Sequence, residues 1–201
     1  MKIDRIIMPT VALLIATLFI SVFPTEEEYG IYEDTVRLHI LANSDSDEDQ
    51  ALKLKIRDRL LEEYSSALIG YGNKDEAEDA LSLMIPSIKE DVNRWIADEG
   101  YDYESEISIG SEWYDTRVYE DYTLPQGYYT SLVVSIGDGE GRNWWCVMYP
   151  PLCMEIATEN APADDGLLDY TSEEITLIKG GKYNVKLKIL EELSRAFAKN
   201  G

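Results

Sequence analysis

The chain has 201 residues, 45% of them hydrophobic, with 39 acidic against 18 basic side chains and a formal net charge of −21. That length and apolar content suffice for one domain with a sizeable core. So acidic a surface repels phosphate backbones and anionic headgroups, which excludes nucleic acid as a partner and charge-driven binding to lipid. The 10% aromatic content separates the chain from disordered acidic tails.

Met1 to Arg5 is a short, weakly basic lead, and Ile6 to Phe23 is a run of 18 residues without a charge. Such a run reads as a signal peptide or a membrane anchor over residues 1–24. Phe23 and Pro24 stand where a cleavage site wants small residues, so an anchor is slightly favoured. The acidic flank Glu26, Glu27 and Glu28 orients the rest of the chain outside the cytoplasm, where disulfides form. Residues 25–34 read as an acidic tether.

Thr35 to Leu41 alternates as a strand, with Val36, Leu38 and Ile40 on one face. Ser46 followed by Asp49 imitates a capping box and predicts a helix from about Asp47 to Ile69. Gly70 to Asn73 ends it, and a second helical stretch runs to about Glu99. Pro86 lies inside that stretch and predicts a kink or a division into two helices. From Tyr101 the period changes to two. Strands are expected at Tyr101–Ile109, Trp113–Tyr119 and Tyr128–Ile136. A hairpin loop at Gly137–Gly141 then leads to a returning strand at Asn143–Tyr149, which Pro150 and Pro151 end. Residues 155–174 read as a polar loop, Tyr183–Ile189 as a strand and Leu190–Phe197 as a short helix. The fold class is α+β: an N-terminal membrane or signal helix, a strand, two to three helices, then an antiparallel sheet with a short C-terminal strand and helix. The expected extracytoplasmic domain is 35–154, with 155–201 packed on it.

Several motifs fail on their spacing. Asp45 to Asp49 opens like a calcium loop, but Gln50 and Ile56 occupy the positions that need Gly and a bidentate Glu. Gly137, Gly139 and Gly141 precede a strand rather than a helix, which disfavours a phosphate cradle. Zinc on His39, Cys146 and Cys153 is disfavoured by wide spacing and an oxidising compartment. No cofactor is therefore expected. Cys146 and Cys153 flank the Pro-Pro turn and read as a local disulfide; the alternative is a reactive thiol. His39, the sole histidine, reads as a structural residue bonded to the Asn43–Asp45 turn. The sharper alternative is a general base for Ser44 or a cysteine in an extracytoplasmic hydrolase.

Two blocks carry a resemblance. Arg37 to Ser46, followed by Asp49–Lys53 and Arg57–Asp58, resembles the N-terminal block of the stage II sporulation protein R family. Leu124–Tyr129, Gly137–Gly141, Asn143–Val147 and Pro150–Cys153 are similar to that family's second block, and Val185–Ile189 to its tail. The resemblance implies a non-enzymatic signalling protein of sporulation, made in the forespore and exported into the intermembrane space. Its implied partner is the membrane-embedded aspartic protease that processes pro-sigma-E in the mother cell. The family supplies no catalytic residues to carry over. The expected receptor surface joins His39, Asn43, Ser44 and Asp45 to Trp144 and Trp145, because large aromatics anchor interfaces; the alternative places both tryptophans in the core.

Overall fold

The structure is a computed structural model that describes residues 4–20, 23–68, 70–119, 122–150 and 170–179. Helix α1 (Asp4–Ile20) has 17 residues, about 26 Å at 1.5 Å per residue, short of a hydrocarbon core of about 30 Å. Among the described residues no helix is long and apolar enough to cross a membrane. The expectation of a membrane-spanning helix is thus unsupported, although α1 is apolar and leaves Met8, Leu13 and Leu14 exposed.

The acidic segment after it is no tether. It forms helix α2 (Glu26–Glu33), closed by a capping box between Thr25 and Glu28. Ile31 and Tyr32 anchor its inner side, and their burial outweighs the repulsion among three glutamates. Sequence periodicity passed over it because eight residues give too few turns to show a stripe.

Strand β1 (Val36–Leu41) comes next, then helices α3 (Asp47–Leu68) and α4 (Lys74–Asp98). The Ser46 hydroxyl accepts from the Asp49 N–H at 3.1 Å, and Asn73 caps α4 through the Glu76 N–H at 3.0 Å. Pro86 does not divide α4, so of the two expected outcomes the division into two helices fails. Buried Leu81 before it and Ile88, Val92 and Trp95 after it hold one apolar face continuous, while Pro86 itself faces solvent.

The remaining strands are β2 (Ser105–Tyr114), β3 (Arg117–Val118), β4 (Thr123–Leu124), β5 (Gly127–Ile136) and β6 (Asn143–Tyr149). The main sheet has the order β2-β5-β1-β6, while β3 and β4 pair as a separate ribbon. Strand β1 runs parallel to β5 and antiparallel to β6. The expected antiparallel hairpin between β5 and β6 is therefore wrong, and the sheet is mixed: β1 lies between them. The connecting loop crosses the end of β1 and bonds to it instead, with the Gly141 N–H donating to the Ala42 carbonyl at 2.8 Å. The two strands expected between Tyr101 and Tyr119 are mainly one, β2, because Gly110 continues the ladder without a break.

The sheet is covered on both sides. Val36, Leu38, Ile40, Leu132 and Val134 face α3 and α4 across the main core. The opposite face carries Arg37, His39 and Leu41. At its Arg37 end it is covered by α2 and by helix α5 (Ser172–Lys179), which begins at the end of the segment read as a loop and extends beyond it. There the Tyr32 hydroxyl donates to the Gln126 carbonyl at 2.6 Å, and the Tyr170 hydroxyl meets Thr35 Oγ1 at 2.7 Å. The expected strand Tyr183–Ile189 and helix Leu190–Phe197, with Cys153, lie outside the described residues.

Candidate functional site: a polar aromatic cleft beside a loop latch

The residues singled out from sequence separate into two places. Asn43, Ser44 and Asp45 form a latch between the end of β1 and the glycine loop. Asn43 Nδ2 and Ser44 Oγ both donate to Asp49 Oδ2, at 2.9 and 2.5 Å. Asn43 Oδ1 accepts from the Asp138 N–H at 3.0 Å, and Asp45 Oδ1 from the Arg142 N–H at 2.7 Å. Lys53, only 4% exposed, completes the latch by donating to the Arg142 carbonyl and to Gln50 Oε1, each at 2.7 Å. Burial pushes the Asp49 carboxyl up, but the donors Ser44, Asn43, Tyr103 and Ser46 together hold it below the usual range. Burial likewise lowers the Lys53 ammonium, helped by Arg142. Gly137 sits at φ +58°, and a Cβ on Gly141 would collide with the Ser44 carbonyl oxygen. Glycine spacing that resembles a phosphate cradle therefore serves close backbone approach.

His39 goes elsewhere. It is not bonded to the Asn43–Asp45 turn, as sequence reading expected, but to Glu112, with Nδ1 and Oε2 2.9 Å apart. Strand alternation sends His39 and Trp145, directly opposite each other on β1 and β6, to the same face. Their rings stack at 5.6 Å with 26° between planes. The Arg117 guanidinium lies over the other part of this stack, 3.8 Å from the Trp145 ring centre. These groups, with Trp113, Tyr114, Asp115 and Asn143, line a cleft of about 310 Å³. The hydrogen bond from His39 holds the Glu112 carboxyl below its usual range, against burial. Burial pushes the Tyr114 hydroxyl up, so it stays a neutral donor. Beneath the cleft, Arg37 is fully buried between Tyr114 and Tyr129, at 4.1 and 5.1 Å from their ring centres, and donates to the Tyr119 hydroxyl at 2.7 Å.

Trp144 points to the helix face, where Arg57 lies 5.1 Å from its ring centre. Both tryptophans are half-buried, one on each face of the sheet. Of the residues expected to form one surface, only His39 and Trp145 lie together in the cleft; Trp144 and the Asn43–Asp45 turn lie apart from it. Glu112, Arg117, Trp113 and Tyr114 were missed by sequence reading. Their one signal was Trp113 beside Glu112 on an alternating strand, which says nothing of a partner 73 residues away.

The His39–Glu112 pair resembles in geometry the base half of a nucleophilic triad, a histidine oriented by a carboxylate. A nucleophile is not brought to it among the described residues. Ser44 donates to Asp49, and Cys146 lies opposite Leu38 on the far face and is disulfide-bonded. His39 Nε2, which a nucleophile would have to reach, is buried with no hydrogen-bond partner among the described residues. Among the described residues, no group of three or more His, Cys, Asp or Glu side chains is placed to hold a metal ion.

The described residues thus form an α+β scaffold that presents a cleft of stacked aromatic, cationic and carboxylate side chains. The family profile of stage II sporulation protein R matches residues 32–159, and the chain belongs to that family. It is similar to Stage II sporulation protein R of Bacillus subtilis (strain 168), with 35% identity over 123 residues, 61% of this chain and 55% of the relative. The chain thus spans about half the length of that curated relative. No solved structure matches it.

Proposed function

We propose that the protein is a non-catalytic signal of sporulation, exported from the forespore, that switches on the membrane-embedded aspartic protease processing pro-sigma-E in the mother cell. The observation that carries this reading is family membership across residues 32–159. The cleft is consistent with it: among the described residues His39 has an orienting carboxylate but no nucleophile beside it, while Trp145 and Arg117 are residue types that anchor interfaces. The apolar α1 acts as the export signal, and disulfide-bonded Cys146 suits an oxidising space. A ligand of this kind activates by population shift, binding the active form of the protease more tightly than the inactive form. The test is co-expression of protein, protease and pro-sigma-E in a non-sporulating host. Processing should appear only when the exported protein is present, and processing without it would refute the role.

The hydrolase alternative of His39 with Ser44 or a cysteine has the His39–Glu112 pair in its favour but no nucleophile beside His39 among the described residues. It would require Ser44 to leave Asp49, or Cys146 to change faces and lose its disulfide.

A further inference from the structure

Among the described residues six buried side-chain polar atoms have no hydrogen-bond partner, and five of them lie on two touching pieces of chain. Arg37 Nε and Nη1 and His39 Nε2 belong to β1, while Thr116 Oγ1 and Arg117 Nε belong to the segment that enters β3. The Arg37 guanidinium donates to Tyr119 of that segment, and Arg117 lies over the Trp145 ring on which His39 stacks. A polar atom left unpaired in a folded interior costs stability, so five together call for a reason. Arg37 is fully buried between Tyr114 and Tyr129. His39 and Arg117, by contrast, line the cleft of about 310 Å³. Of the arginines with described side chains, Arg57, Arg59, Arg94 and Arg142 each meet a carboxylate. Among the described residues Arg117 meets none, and its charge is faced only by the Trp145 ring.

The two unpaired atoms of the cleft residues are of opposite kinds. Glu112 is held ionised and can only accept. His39 Nδ1 therefore carries the proton, and Nε2 of the neutral ring is an acceptor awaiting a donor. Arg117 Nε–H is a donor awaiting an acceptor. A carboxylate would satisfy Arg117 but set its charge against Glu112, Asp115 and the Nε2 lone pair. An ammonium or guanidinium would be repelled by Arg117. We propose that the cleft receives a carboxamide, the side chain of an asparagine or glutamine on a partner protein, with its N–H donated to His39 Nε2 and its oxygen accepting from Arg117 Nε. A carboxamide carries one donor group and one acceptor side by side without net charge. A cleft of this volume is at the small end for ligand sites and admits one side chain rather than a length of strand. Both unpaired atoms are shielded from water, so Arg117 must slide along Trp145 to admit the amide. Its side chain is half-buried and stands on a strand only two residues long.

This deepens the reading of the cleft as a recognition site and rests on it. The test uses the purified full chain without the protease. The chain has a single histidine, so isotope-labelled histidine gives one pair of ring-nitrogen NMR signals. The labelled protein is titrated with propionamide, propionate and propylamine, probes of nearly equal size. Propionamide should shift the Nε2 signal and leave Nδ1 almost unmoved, while the two charged probes move neither. An equal or larger Nε2 shift from propionate or propylamine overturns the proposal. So does the absence of any shift from propionamide up to roughly 100 mM, well above the ~10 mM dissociation constant that suits so small a probe. Arg117→Met removes the donor and should weaken propionamide roughly 10-fold or more, as a charge-assisted hydrogen bond is lost. Circular dichroism confirms that the variant is folded, and unchanged affinity in the folded variant overturns the proposal. Where the variant does not fold, the probes on the wild-type chain decide alone. Amide selectivity without pro-sigma-E processing would refute the signalling role only, and processing without amide selectivity would refute this inference only.

Discussion

Replacing Gly141 by alanine tests the latch. The added Cβ would collide with the Ser44 carbonyl oxygen and lie 2.6 Å from its carbon and 2.9 Å from the Ala42 oxygen. All three are backbone atoms, so no side chain can swing aside. The loop must lift, which breaks the Gly141 N–H bond to Ala42 and pulls the Arg142 carbonyl from buried Lys53. A neutral hydrogen bond contributes about 1 kcal/mol and one to a charged group about 1.5–3, so the loss is about 2–4 kcal/mol. For a chain of this size that lowers Tm by about 4–16 °C. Thermal and urea unfolding followed by tryptophan fluorescence measure it. Gly110→Ala is the control, since its Cβ meets nothing, and it should stay within about 0.5 kcal/mol of wild type. If Gly141→Ala unfolds within that same margin, the interlocking of the two sequence blocks is not what fixes this end of the sheet.

Asp49 should give the latch a pH dependence. Its folded carboxyl lies below the unfolded value, so its contribution is present above about pH 4 and is lost as pH falls through the folded value. Asp49→Asn should lower stability by about 1–3 kcal/mol at neutral pH, with the gap to wild type narrowing in acid; equal gaps at pH 3 and pH 7 would refute this. Thr35→Val strips the buried Tyr170 hydroxyl of its partner, and should cost about 1–3 kcal/mol and raise hydrogen exchange in α5. Unchanged exchange in α5 would mean that this bond does not dock the helix. Trp145→Ala should abolish pro-sigma-E processing in a folded protein, whereas Trp144→Ala, on the helix face, should lower stability but retain processing. Identical behaviour of the two variants would remove the distinction between the faces.

What was legible in the sequence was local. Caps at Ser46 and Asn73, and the alternation of Val36, Leu38 and Ile40, marked α3, α4 and β1, because each depends on neighbours within a few residues. What failed was long-range. Gly137–Gly141 is locally a good hairpin loop, and only its bonds to Ala42 and Asn43 show that it crosses β1 instead. Pro86 is locally a helix breaker, overridden by the buried face on either side of it. The site shows the same division. Alternation alone placed His39 opposite Leu38 and sent the two tryptophans to opposite faces. The pairing of His39 with Glu112 and the seating of Arg117 on Trp145 depend on strand order, which no spacing records.

On the proposed reading the protein acts as a ligand and not as an enzyme. The direct measurement adds increasing amounts of the purified protein to membranes that carry a known quantity of the protease, and tracks cleavage of pro-sigma-E. A ligand requires the rate to rise in proportion to bound protein and to saturate once every protease is occupied, with His39→Ala acting through affinity alone. Full activation by a few molecules per thousand proteases, abolished by His39→Ala at unchanged binding, would mean that the cleft performs chemistry and that the account is wrong.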